Sequence, residues 1–283
     1  MARYYVRRAR RRWREYTATR RMLPDFIIAG APKCGTTAIY WYLLSHPQII
    51  APSPPGFEVA YFDEHYRHGL DFYRASFPFV TTVRRRSKRL GGATVITGEH
   101  TPAYLTHPLA ATRIAQALPD VRIIILLRDP VDRAYSCYQH QLRCGQETLG
   151  FREALAAEKQ RITGEVERLR SQLDYLSIEY GRHAYVDHGE YLPKVERFFN
   201  CIDHDRIMVI KSENLFAHTQ RTLDDVTDFL HLEPFKVGDV KPINAGSYDS
   251  LDEADPELAN KLREHFKPHN EALYSYLDMD FGW

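Results

Sequence analysis

The residues with the clearest chemistry are Gly30-Ala31-Pro32-Lys33-Cys34-Gly35-Thr36-Thr37. They follow the apolar run Phe26-Ile27-Ile28-Ala29 and precede Ala38-Ile39-Tyr40-Trp41-Tyr42-Leu43-Leu44, an order that reads strand, tight loop, helix. Such a loop aims backbone N–H groups and the positive end of a helix dipole at one point, which makes an anion site. A nucleotide-triphosphate loop reads GxxxxGK[ST], with lysine directly after the second glycine. Here Gly30 and Gly35 keep the spacing, but Thr36 follows Gly35 and the lysine sits inside the loop as Lys33. It would therefore serve a different oxygen from the one a kinase lysine serves. An ordinary glycine-containing turn is the plainer alternative; spacing and context together favour the anion site.

A second segment, Leu127-Arg128-Asp129-Pro130 and on to Ser136, leaves an apolar run at its C-terminal end, where open α/β sheets bind ligands. Arg128 and Ser136, the latter two turns into the next helix, suit a second phosphate, because a guanidinium fork matches phosphate oxygens. Asp129 has a minority reading as a magnesium ligand, which the displaced lysine argues against. Glu58 lies among Phe57, Val59, Ala60, Tyr61 and Phe62. If these neighbours keep water away, its carboxylate becomes a better proton acceptor near neutral pH; an exposed glutamate is the even alternative. His65 and His68 have a helical i,i+3 spacing but no matching third ligand, so no metal is expected. Arg84-Arg85-Arg86-Ser87-Lys88-Arg89 reads as a solvated loop, with a clamp for an anionic acceptor as the sharper alternative.

The elements that must position these residues alternate. Strands are expected at 25–29, 94–98, 121–127 and 206–211. Helices are expected from 38 to 44, around 64–76, and at 108–118, 130–143, 151–170, 189–200 and 219–231. A last helix starts near Asp255, with Pro256 in its first turn, and 236–252 reads as a loop. Alternation with two runs too apolar for a wet face implies an α/β fold: a P-loop-like parallel sheet flanked by helices on both faces, as a single domain at 24–283. The 283 residues suit one continuous core.

Residues 1–22 hold nine of the 38 Lys and Arg and one of the 37 Asp and Glu, a local charge of +8, and the rest of the chain carries −7. An acidic body argues against a nucleic-acid partner. The arm, 1–23, mixes arginines with Tyr4, Tyr5, Trp13 and Tyr16, which fits a peripheral contact of residues 1–22 with an anionic membrane. Cys34, Cys137, Cys144 and Cys201 form no CxxC pair, and no apolar stretch follows the Arg-rich start. A soluble, cytoplasmic protein with reduced thiols is expected.

Residues 32–47, PKCGTTAIYWYLLSHP, resemble the 5′-phosphosulfate loop of sulfotransferases that use 3′-phosphoadenosine 5′-phosphosulfate (PAPS). Residues 122–141, RIIILLRDPVDRAYSCYQHQ, resemble their 3′-phosphate segment. The likeness is strongest to the heparan sulfate sulfotransferases and extends to 57–78, GEHTPAYL (98–105), GEYLPKVERFF (189–199) and the C-terminal 266–283. It implies that Lys33, Cys34, Gly35, Thr36 and Thr37 hold the 5′-phosphosulfate, Arg128 and Ser136 the 3′-phosphate, and that Tyr191 lies near the cofactor. The family's closing loop falls at Lys241, Asn244 and Ser247, where this chain lacks the Lys-Gly-Arg and the disulfide hairpin of the heparan enzymes. The resemblance also places the catalytic base at Glu58, with His65 and His100 as fallbacks. His100 stands where the heparan enzymes carry lysine, so a titrating group that orients the acceptor is expected there. The implied reaction moves a sulfuryl group from PAPS to a hydroxyl or amine of a carbohydrate, glycolipid, lipid or secondary metabolite, without a metal. A small-molecule kinase and a basic-arm nucleic-acid binder are the competing classes.

Overall fold

The structure is a computed structural model and describes residues 11–173, 175–238 and 248–283. Four parallel strands, β1 (Phe26–Gly30), β2 (Gly98–His100), β3 (Arg122–Leu127) and β4 (Ile207–Lys211), form a sheet in the order β2-β1-β3-β4. Every residue of β1 is buried, and all of β3 except Arg122, as expected for strands covered on both faces by helices. All four strands point the same way, so the C-terminal ends of β1, β2 and β3 open onto one edge, where the sequence-marked segments begin. The β1–β3 register slips between Ile28 and Gly30, a bulge at the entrance to the glycine loop.

The helix Thr36–Leu44 is buried nearly all round and joins the central core with Ala110–Ala117, Leu192–Phe199 and Thr219–Phe229. The helix Pro130–Arg143 sends Val131, Ala134, Tyr135 and Tyr138 into a second cluster with Phe151, Tyr185, Leu262 and Phe266, which fastens it to the C-terminal helix Pro256–Leu277.

Several expected elements come out differently. The stretch 64–76 is not one helix: short turns at Tyr61–His65 and Tyr66–His68 precede Leu70–Arg74, because Gly69 breaks them with a φ of +78° and a ψ of 164°. The charged helix expected over 151–170 breaks at Gly164, with a φ of +76°, into Phe151–Ile162 and Glu165–Ser171. The strand expected at 94–98 is displaced to Gly98–His100. The basic run 84–89 is the second half of a helix, Val80–Arg89, rather than a loop. Arg86 donates to the carbonyl of Pro47 at 2.7 Å, beyond the far end of the helix that leaves the glycine loop. The basic run thus lies at the end of the sheet away from that loop, which removes the acceptor-clamp reading. The expected loop 236–252 lies in part outside the described residues, as do Lys241, Asn244 and Ser247.

Candidate active site

The glycine loop is held from three sides. The Ala31 amide donates to the carbonyl of Leu126 at 2.7 Å, and Ser212, just after β4, donates its hydroxyl to the Cys34 carbonyl at 2.9 Å. A Cβ on Gly30 would stand 2.3 Å from Leu105 Cβ, so no larger residue fits there unless Leu105 moves. Gly35, at a φ of +84°, is the N-cap of the helix Thr36–Leu44 and supplies no side chain to cap it. The first-turn amides therefore have no side-chain or intrahelical partner and point at one spot. Lys33 is half-buried beside it; its ammonium pKa is pushed down by burial and by the positive charges of Arg143 and Arg128. An anion bound there would relieve that crowding of cations.

Arg128 follows β3 directly. One arm of its fork pairs with Asp132 at 3.1 Å, and Ser136 is buried two turns into the helix that follows. Asp129 caps that helix, its Oδ1 accepting from the amides of Val131 at 2.8 Å and Asp132 at 3.2 Å. Tyr191 is fully buried and its hydroxyl donates to the Arg128 carbonyl at 2.8 Å, with Cys34 Sγ 3.8 Å away. It braces the glycine loop and the Arg128 segment against each other. The Cys34 side chain likewise faces the interior, and burial pushes its thiol up to about 11, so the thiol stays protonated.

At the end of β2, Glu99 is fully buried and accepts from Thr101 Oγ1 at 2.7 Å, Tyr73 at 2.7 Å and Tyr104 at 3.0 Å. With the backbone amide of Val59 as a further donor, these bonds tie Glu99 into its surroundings. The same groups grip the neighbouring segment: the Ala60 amide donates to Thr101 Oγ1 at 3.2 Å and the Tyr61 amide to the Tyr104 hydroxyl at 2.9 Å. That grip holds the segment that follows Glu58, whose carboxylate lies close enough to Glu99 to feel its charge, while Gly56 packs against Trp41 of the loop's own helix. Glu58 is open to solvent, yet enough protein surrounds its carboxylate that the pKa is pushed up to about 7, by desolvation first and then by the negative charges of Glu99 and Glu64.

His100 pairs in register with Ile28 of β1 and stacks on Tyr40 with ring centroids 4.3 Å apart. Its Nδ1 is buried and unpartnered. The expectation of a histidine titrating near neutrality is corrected: burial holds His100 down to about 4, so it stays neutral at working pH. His65 packs against Phe72, over which the Arg11 guanidinium lies at 3.5 Å, and so sits toward the arm. Glu99 escaped the sequence reading although two of its donors, Thr101 and Tyr104, lie in the same GEHTPAYL stretch; only Tyr73 is brought to it by the fold. One pocket of about 230 Å³, lined by Phe199, His204, Ile207, Val209, Tyr276, Leu277 and Met279, lies away from the glycine loop.

The sulfotransferase domain family matches residues 23–251. The chain belongs to that family. It is 24% identical to the membrane-associated sulfotransferase kil1 of Dictyostelium discoideum, over 92% of this chain and 66% of that protein. It is 31% identical to the human bifunctional heparan sulfate N-deacetylase/N-sulfotransferase 3, over 75% of this chain but only 23% of that protein. Among solved structures, a sulfotransferase from Alicyclobacillus acidocaldarius matches with a TM-score of 0.65 and 29% identity, covering 92% of this chain and 98% of that one. The chain thus spans just under two thirds or less of the first two relatives and nearly all of the bacterial one.

Proposed function

We propose that the chain transfers a sulfuryl group from PAPS to a hydroxyl or amine, with a carbohydrate as the leading acceptor class. What supports this is an uncapped helix N-terminus with Lys33 after β1, the guanidinium of Arg128 after the neighbouring parallel strand β3, and, in electrostatic reach of Glu99 of β2, a carboxylate held near neutrality. The two anion-binding segments would receive the two phosphate ends of the donor, Lys33 to Thr37 at the 5′ end and Arg128 with Ser136 at the 3′ end. Lys33 and the loop amides neutralise charge as it develops on the leaving phosphate oxygen. Glu58 accepts the acceptor's proton, and Glu99, with Tyr73, Thr101 and Tyr104, fixes the backbone that aims it. His100, whose Nδ1 is buried, would reach the acceptor or a sulfuryl oxygen only through Nε2, and as a neutral ring it would add no charge. The cap role of Asp129 weighs against the kinase alternative, which needs a magnesium ligand there. The names of the heparan sulfate relatives favour a glycan acceptor. The test is incubation of the purified protein with radiolabelled PAPS and a panel of glucosamine-containing oligosaccharides, glycolipids and small hydroxylated molecules, with products identified by mass spectrometry. Failure to label any member of the panel, together with failure to bind PAPS, would end this reading.

For location, we propose a cytoplasmic protein that touches an anionic membrane through its arm. Among the described residues no helix is long and apolar enough to cross a membrane. Arg11, Arg14 and Arg21 turn inward, donating to the carbonyls of Phe72, Ala75 and Phe77. Arg12, Trp13, Tyr16 and Arg20 remain exposed, and Trp13 packs edge-on against Phe79, the residue that opens the basic helix Val80–Arg89. Arginines beside exposed aromatic rings suit an anionic interface. Co-sedimentation with phosphatidylserine vesicles should be lost on replacing Arg12, Arg20, Arg85 and Arg89 by Glu. Unchanged binding would remove the membrane from the account.

A further inference from the structure

The C-terminal helix Pro256–Leu277 carries His265 and His269 one turn apart, their rings stacked with centroids 5.2 Å apart. Facing them is Glu190, in the turn that precedes the helix Leu192–Phe199. Its Oε1 lies 3.0 Å from His265 Nε2 and 3.7 Å from His269 Nε2, and one ligand atom from each of the three residues falls within 4.8 Å of the other two. A tetrahedral zinc ion, with bonds of about 2.0–2.1 Å to such ligands, sets them roughly 3.3–3.5 Å apart, so small side-chain rotations would close the set.

The backbone beneath these side chains is already fixed. Gly189 packs so closely on the same helix that a Cβ there would meet the Phe266 ring at 2.9 Å and Pro130 Cβ at 3.0 Å. On the other side of Glu190, Tyr191 is fully buried, and the ammonium of Lys194 donates to the Glu190 carbonyl at 3.1 Å. Ligation would therefore require ordering of side chains and not of a loop. His265 is exposed while Glu190 and His269 are half-buried, which gives an ion a route in and leaves a coordination position for water. Two imidazoles and one carboxylate suit zinc and its neighbours in the first transition series better than magnesium or calcium.

We propose that Glu190, His265 and His269 form a binding site for one divalent transition-metal ion, zinc being the natural occupant. The site is separate from the chemistry of transfer and calls for no metal in it. It staples the C-terminal helix to the turn whose next residue, Tyr191, braces Arg128 and Cys34, so occupancy would stiffen the support behind both anion-binding segments. His65 and His68 show the contrast: their rings lie 5.9 Å apart, but they belong to no such three-residue group among the described residues.

The test uses the full chain without a histidine tag, stripped with a chelator and titrated with zinc chloride by calorimetry, with cobalt(II) as a spectroscopic probe. One ion per chain is expected, with visible d–d absorption of tetrahedral cobalt. Binding should weaken at least tenfold in His265→Ala, His269→Ala and Glu190→Gln. It should be unchanged in the His65→Ala/His68→Ala pair and in Cys144→Ser, the latter because Cys144 lies 3.9 Å from His140 and could bind weakly by itself. Zinc should also raise the melting temperature of wild type but not of His265→Ala, whose exposed position makes loss of the fold an unlikely confusion. No binding near one equivalent, or binding that the three site variants leave intact, would overturn the proposal and leave an ordinary His–Glu surface pair.

Discussion

If Glu58 is the general base, the rate must follow its ionisation. An ordinary glutamate has a pKa of 4.5, whereas Glu58 is pushed up to about 7 by desolvation and the charges of Glu99 and Glu64. The sign follows directly: the base works only when deprotonated, so turnover is present above about 7 and is lost as the pH falls through it. The ionised fraction is then about 3% at pH 5.5, half at pH 7 and about nine-tenths at pH 8, so turnover should rise roughly thirtyfold over that range. An unperturbed carboxylate would give a change of only about 10%. The assay is saturating-substrate turnover with a sugar hydroxyl as acceptor, which does not itself titrate in this window. Asp63, which burial also holds up to about 7, is the second carboxyl that could shape the profile. Asp63→Asn should keep the limb, whereas Glu58→Gln should abolish it and lower turnover by about 10²–10⁴. Glu99→Gln removes a negative charge and should move the limb to lower pH. A wild-type profile flat from pH 5.5 to 8, or a Glu58→Gln variant with more than half its turnover, would refute the reasoning.

Arg128→Ala should weaken calorimetric affinity for 3′-phosphoadenosine 5′-phosphate at least tenfold, since a charge-assisted bond of this kind contributes roughly 1.5–3 kcal/mol. Lys33→Ala should lower turnover more than it lowers that affinity, because its charge counts most as the bridging bond breaks; stopped-flow single turnovers would separate the two. His100→Gln should leave the limb between pH 5.5 and 8 in place, as His100 is already neutral there; a displaced limb would make it the titrating group. Gly30→Ala forces a Cβ to within 2.3 Å of Leu105 Cβ and should cost about 1–3 kcal/mol, read as a melting point lower by roughly 2–10 °C.

The parts of the fold that the sequence announces are those where one local pattern suffices. β1 and all of β3 after Arg122 are apolar runs, and a glycine-bounded loop or an Arg-Asp-Pro follows each, so the candidate anion site is legible from adjacent residues. What stayed hidden depends on distant partners. Nothing around Glu99 says that Tyr73 will reach it from 26 residues away, and Glu190 finds His265 only across 75 residues. The stretch 84–89 reads as a loop because every residue but Ser87 is charged, and of the helix Val80–Arg89 that it belongs to only Val83 is buried. His100 misled for the same reason. Its type suggests titration near neutrality, and burial against Tyr40 abolishes it.

The central claim is that the glycine loop and Arg128 together recognise a nucleotide with phosphates at both the 5′ and 3′ positions. Calorimetry on the wild-type protein tests it most directly, comparing 3′-phosphoadenosine 5′-phosphate with adenosine 5′-monophosphate and with ATP plus magnesium. The expected result is at least tenfold tighter binding of the bisphosphate than of either competitor. Equal binding of the bisphosphate and the monophosphate, or preferential binding of magnesium ATP, would contradict it.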